Sequence, residues 1–240
     1  MSSHDHQPKT LDSQLEALQT RIGYRFGDAR LLLQATTHPS FVNEHPEEGP
    51  DNQRLEFLGD AVLGFVVAEW VFRQYQHFRE GEMTRLRAAL VREETIAGFA
   101  SQLRLGETLR LGRGEADGGG RERPANLGDA FEALMGAIYL DGGLAPLKRI
   151  IHTLVKPAAE DILDTEADRD AKSLLQEWSQ GDLGITPRYR IVAERGPDHA
   201  KTFVAEVLLD DEVIGRGQGR SKQAAERAAA RQALRDRAKL

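Results

Sequence analysis

A chain of 240 residues has the length for one large or two modest domains, and without cysteine it forms no disulfide, thiolate metal site or cysteine nucleophile. Its 40% apolar and 29% charged content is that of an ordinary globular protein, and no apolar run approaches a membrane span, so the expectation is a cytoplasmic protein without signal segment or membrane anchor. The net charge of −6 argues against a nucleic-acid partner until it is divided: from Asp170 onward 13 Lys and Arg face 11 Asp and Glu, so an acidic body of about −8 carries a mildly basic tail.

Residues 1–10 are polar and aperiodic, the pattern of a disordered terminus. Leu11, Leu15, Leu18 and Ile22 make the first helical stripe, and Asp28 is placed to cap a second helix running through Leu31, Leu32 and Leu33 to Thr37. HPEEGPDN, with two prolines and a glycine, reads as a loop. It leads into a long helix that contains RLEFLGDAVLGFVV and ends near Tyr75. There Leu55, Leu58, Val62, Phe65 and Val66 line an apolar face. Glu56 and Asp60 sit among them four residues apart, which stacks two mutually repelling carboxylates on one side of the helix.

Further helices are expected over 82–91, 93–103, 125–140 and 144–163, with the glycine-rich GRGEADGGGRERP as a flexible loop. GDAFEALMGAIYLDGG repeats the acidic pattern: Asp129 and Glu132 share a face at i, i+3, and Phe131, Leu134, Met135 and Ile138 supply the apolar side. No strand is expected here, so residues 11–163 read as an all-α domain. Two helices with two close carboxylates each can converge four acids, which cannot all stay ionised unaided. A divalent cation removes that conflict, and oxygen ligands without His or Cys in those stretches select Mg²⁺ or Mn²⁺. The other reading is two solvated helix faces, and spacing alone does not choose.

DTEADRD, residues 164–170, reads as a linker. Beyond it the period changes. A helix over 171–180 is followed by alternating Tyr189, Ile191 and Ala193, a Val/Leu/Phe-rich strand over 202–209, and a third strand over 212–218. GPDH and DDE are the turns, and Ser221 caps a last helix faced with Ala224, Ala225, Ala228, Ala229 and Ala233. Residues 171–240 thus form a small α-β-β-β-α domain.

QRLEFLGDAVL resembles the signature of the ribonuclease III family, commonly written N-E-R-L-E-F-L-G-D-[SA]. EGEMTRLRAALVREETIA, LGRGE…GG and GDAFEALMGAIYLDGG resemble further segments of that catalytic domain in the same order, and the tail is similar to a double-stranded-RNA-binding domain. The resemblance covers about residues 14–238 and implies a homodimeric endonuclease that hydrolyses phosphodiesters in duplex RNA, leaves 5′-phosphate and 3′-hydroxyl ends, and serves rRNA and mRNA processing. It implies Mg²⁺ on Glu56, Asp129 and Glu132, with Mn²⁺ as a substitute. Asp60 and Glu132 fall on catalytic positions. Phe57 falls on a phenylalanine that inserts into the partner subunit; the alternative is an ordinary intrachain core residue. Glu80 and Glu115 fall on acidic positions bordering the site; solvated surface acids are the alternative. Gln53 departs from the common Glu and cannot supply negative charge there.

In the tail the resemblance implies that Ser173 and Gln176 face one RNA minor groove and that His199 enters the next, followed by Lys201. Ser221 and Lys222 begin the last helix, where free N–H groups favour a phosphate, and Arg220 adds charge. The strongest form of this last motif is S-K-K-x-A-K; the chain has Ser221-Lys222-Gln223-Ala224-Ala225-Glu226, which implies weak binding by the isolated tail. The rival readings are a non-catalytic duplex-RNA-binding protein, a protein-interaction module in the tail, and a carboxylate metalloenzyme for a small substrate.

Overall fold

The computed structural model describes residues 10–195 and 201–237. The chain divides into two compact units, Met1–Ala159 and Glu160–Leu240. The expected reading of residues 1–9 and the position of His199 lie outside the described residues.

The first unit is helical. Thr10 caps α1 (Leu11–Ile22), which stops at Gly23 in the left-handed region, φ 66°. Asp28 caps α2 (Ala29–Ala35) as expected, accepting from Arg30 N–H at 3.0 Å, and the helix ends two residues before Thr37. A six-residue helix, α3 (Pro39–Glu44), follows, with His38 as its cap and proline at its first position. It is too short to show an apolar period. The HPEEGPDN loop holds one 3₁₀ turn, Pro46–Glu48. Then come α4 (Gln53–Gln74), α5 (Glu80–Leu90) and α6 (Glu93–Gln102).

The glycine-rich stretch is built, where a flexible loop was expected. It contains α7 (Arg113–Asp117), and its N-terminal end is tied to α3: Gly112 N–H donates to Ser40 Oγ and Arg113 N–H to Glu44 Oε1, both at 2.9 Å. Side-chain bonds from distant residues replace an apolar stripe here, and local pattern does not reveal them.

α8 (Pro124–Gly142) is the central helix, with Phe131, Leu134, Met135 and Ile138 fully buried. It crosses α4 at backbone contact. A Cβ on Gly59 of α4 would lie 1.8 Å from the Glu132 carbonyl oxygen, and one on Gly136 of α8 would lie 2.3 Å from that of Leu55. Only glycine admits such an approach, and it sets where the acids of the two helices stand.

α9 runs unbroken from Leu144 to Trp178. The expected linker over 164–170 is therefore a stretch of helix. Asp, Glu, Ala and Arg cost little in a helix, and no Gly or Pro interrupts residues 158–178. In the second unit three antiparallel strands follow in the order β1 (Arg188–Arg195), β2 (Thr202–Leu209) and β3 (Glu212–Gly219). Then α10 (Lys222–Arg237) lies against the sheet. Ala225, Ala229 and Ala233 are buried as the alanine face predicts, together with Ala230, Ala171, Leu175, Ala205 and Val207. Gly217 has no room for a Cβ, which would stand 2.2 Å from the Ala229 nitrogen. Small residues on both sides let helix and sheet backbones touch. An all-α unit and an α-β-β-β-α unit are thus both present. Among the described residues no helix is long and apolar enough to cross a membrane.

Candidate active site

Glu56 and Asp60 leave α4 one turn apart, on either side of the glycine that meets α8. Asp129 and Glu132 leave α8 from the facing stretch. Glu56, Asp129 and Glu132 are half-buried and Asp60 is exposed. The Glu132 carboxyl is pushed up to about 7, first by burial and then by the charges of Asp60, Glu56 and Asp129. Burial and the charges of Asp129, Asp51 and Asp60 push Glu56 up as well. Burial also raises Asp129, against an opposing pull from His38 and with a smaller push from Glu93. Glu132 thus feels the charge of the other three predicted acids. Among the described residues no three His, Asp or Glu side chains are gathered tightly enough to hold a cation between them, so the four form an acidic surface and not a closed cage.

Three neighbours were not read from the sequence. Asp51 precedes α4, with Oδ1 accepting from Gln53 N–H at 3.1 Å, and adds to the charge on Glu56. Glu93 begins α6. His38 brings an imidazole toward acids expected to have none near. Its Nδ1 accepts from Ser40 N–H at 3.1 Å. His38 and Glu93 lie far in sequence from the motifs they serve, while Asp51 sits just before α4 in a stretch whose pattern reads only as a loop.

Glu115 is a paired, half-buried acid and not a solvated one. Its Oε1 accepts from Asn126 Nδ2 at 2.7 Å and from Arg123 Nη1 at 2.5 Å, and these partners hold the carboxyl below its ordinary range. Asn126 also donates to Gly120 O at 2.9 Å, so Glu115 pins the glycine-rich stretch onto α8. Glu80 is exposed in the first turn of α5 and accepts from Thr84 Oγ1 at 2.8 Å. Gln53 is exposed at the start of α4. Phe57 is 83% exposed, so it is not an intrachain core residue. Phe65 and Phe72 continue an uncovered stripe along α4.

In the second unit Ser173 and Gln176 are exposed on α9, while Ala171 and Leu175 of the same helix enter the core. Ser221 Oγ accepts from Ala224 N–H at 3.1 Å and caps α10, with Lys222 exposed beside it. Lys201 is exposed at the start of β2's approach.

The family model for ribonuclease-III-like domains matches residues 28–158, and that for the double-stranded RNA binding motif matches residues 171–237. The chain belongs to the ribonuclease III family. It is 46% identical to Ribonuclease 3 of Geobacter sulfurreducens over 220 residues, 91% of this chain and 89% of that one. It is 47% identical to Ribonuclease 3 of Shouchella clausii over 222 residues, 92% and 85% of the two chains. A solved nuclease domain of ribonuclease III from Campylobacter jejuni, described for structural flexibility in a region involved in dimer formation, is 41% identical. It covers 60% of this chain and 96% of that one, with a TM-score of 0.55. The ribonuclease III match ends at residue 158 and the division of the chain falls after Ala159, so sequence family and compact unit coincide at that edge.

Proposed function

We propose that this ribonuclease III hydrolyses phosphodiester bonds in double-stranded RNA at the surface formed by Glu56, Asp60, Asp129 and Glu132, leaving 5′-phosphate and 3′-hydroxyl ends. The observation that carries the reading is the Glu132 carboxyl, held near neutrality by burial and by three neighbouring acids. Such a group keeps a proton unless positive charge relieves it. The donor set is carboxylate oxygen, the ligand type of a hard divalent cation, and we assign Mg²⁺, with Mn²⁺ able to replace it, to Glu56, Asp129 and Glu132, which would have to draw together around it because they stand too far apart to hold it as they are. When bound, that cation supplies positive charge toward phosphate oxygens and polarises water.

The chain's own groups do the rest. The close α4–α8 crossing sets which acids face one another before substrate arrives. Asp60 is assigned to hold or pass a proton at the attacked phosphate, a role Glu132 can share only through an oxygen not taken up by the cation. Glu115, through Asn126, fastens the 112–124 stretch beside them. Duplex RNA is engaged by the second unit, through Ser173 and Gln176 toward one minor groove and Ser221 and Lys222 toward phosphate, with His199 and Lys201 completing the set.

Two copies pair through α4. Phe57, Phe65 and Phe72 leave an apolar stripe uncovered in one chain, and a patch of that kind on a soluble protein marks an interface. A dimer gives two acidic sites for two RNA strands. The cellular work is rRNA and mRNA processing in the cytoplasm.

The test is incubation of the full chain with end-labelled duplex RNA, with Mg²⁺ and with EDTA. Cleavage with Mg²⁺ and none with EDTA is expected. Duplex binding without cleavage in any divalent metal would instead support the non-catalytic RNA-binding reading.

A further inference from the structure

The second unit neutralises its own cations. The Lys222 ammonium lies 3.6 Å from Glu194 Oε1 and 5.9 Å from the centre of the Phe203 ring. Strand register explains the meeting. Glu194 pairs with Phe203, and Phe203 with Gly219, so one row crosses all three strands at the end of the sheet where α10 departs. A carboxylate on the edge strand thus faces the first lysine of the helix.

A second pair stands beside the first. Lys172 Nζ lies 2.9 Å from Glu226 Oε2 and 4.1 Å above the centre of the Tyr189 ring. Glu226 is one turn beyond Lys222 on α10, and Lys172 is one turn before Gln176 on α9. Lys222 is itself assigned to RNA and Lys172 adjoins Ser173, which is also assigned to it, and each lysine is held by a carboxylate of its own unit.

Resting on the reading of this unit as the RNA anchor, we propose that Glu194 and Glu226 are internal counter-ions that set its affinity for duplex RNA. Each occupies an ammonium that a phosphate would otherwise recruit, so RNA gains the contact only by displacing a carboxylate. The exchange is easy at the exposed Lys222–Glu194 pair, with side chains 62% and 46% exposed. It is harder at Lys172–Glu226, with side chains 35% and 24% exposed and an aromatic ring beneath the ammonium. Affinity then depends on salt less steeply than the number of lysines at this surface suggests, because a cation already neutralised releases fewer RNA counterions.

The experiment measures affinity of the full chain for a labelled RNA duplex in EDTA across a range of KCl. The variants are Glu194→Gln, Glu226→Gln, and Glu212→Gln as a control of equal charge change at the opposite end of the sheet, where Glu212 pairs with Leu209. Glu194→Gln should tighten binding about three- to ten-fold at low salt and steepen the salt dependence by up to about one unit of log–log slope. Glu212→Gln should change affinity less than two-fold. In a Lys222→Gln background the gain from Glu194→Gln should vanish, because the ammonium it frees is gone. Glu194 is exposed, so its variant keeps the test valid if Glu226→Gln disturbs folding. Equal gains from Glu194→Gln and Glu212→Gln would overturn the counter-ion role. Absence of duplex binding by the wild type at every salt would instead overturn the assignment of this unit to RNA.

Discussion

Gly59 and Glu132 meet so closely that a Cβ on the glycine would lie 1.8 Å from the Glu132 carbonyl oxygen. This contact connects the signature stretch of α4 to the second acidic pair on α8. Gly59→Ala must push the helices apart. Overpacking of this kind costs about 1–3 kcal/mol. Thermal denaturation should show that loss, and the Mg²⁺ concentration needed for half-maximal cleavage should rise because the acids no longer face one another. A variant with wild-type stability and metal requirement would show that the crossing does not position the site.

The Glu132 carboxyl should leave a mark on stability against pH. Its native value of about 7 lies above the ordinary 4.5. Between those values the native state binds more protons than the unfolded chain, so unfolding free energy falls as pH rises. The stabilising contribution is fully present below about pH 4.5 and is lost by about pH 7. In metal-free protein the wild type should therefore lose stability across that window relative to Glu132→Gln. Parallel curves would mean that Glu132 ionises as an ordinary surface acid.

Much of this site was legible because acids inside an apolar helix stripe are visible at i, i+4 and i, i+3, and because QRLEFLGDAVL is so specific a stretch. Phe57 likewise stands out from the stripe of its helix, and it is exposed. What failed was everything that depends on distant partners. The α3 helix has six residues and no period. The glycine-rich stretch is held by Ser40 and Glu44, about seventy residues away, and by Asn126 of the helix that follows it. The charged 164–170 stretch reads as a linker because it lacks apolar residues, yet its backbone is helical. Glu115 is conspicuous as an acid, but its role as an anchor requires knowing where Asn126 points.

Phe57→Ala should separate dimerisation from folding. In one chain the ring is 83% exposed, so its loss removes little from the protomer's own core. Thermal stability of the dilute monomer should be nearly unchanged, while sedimentation should find monomers at concentrations where the wild type is paired. An unchanged sedimentation profile would move the interface away from this end of α4.

Removing the second unit should change salt tolerance more than chemistry. A chain ending near Asp168 keeps α1 to α8 and all four carboxylates but loses Ser173, Gln176, His199, Lys201, Ser221 and Lys222. Its acidic body must then attract a polyanion with few phosphate contacts, and binding by counterion release weakens steeply with salt. Cleavage should persist at low salt with ample Mg²⁺ and disappear near physiological ionic strength. Equal salt tolerance in truncated and full chains would assign RNA anchoring to the first unit.

The most direct measurement compares Glu132→Gln with wild type on the same labelled RNA duplex, reading binding and cleavage in one titration. The substitution keeps size and removes the charge on which the acidic surface depends. Duplex affinity in EDTA should stay within about two-fold, because the phosphate contacts are assigned to the second unit, while cleavage with Mg²⁺ should fall by at least about a hundred-fold, the scale of losing a positioned acid–base group. Cleavage within a few-fold of wild type would contradict the assignment of the reaction to these four carboxylates.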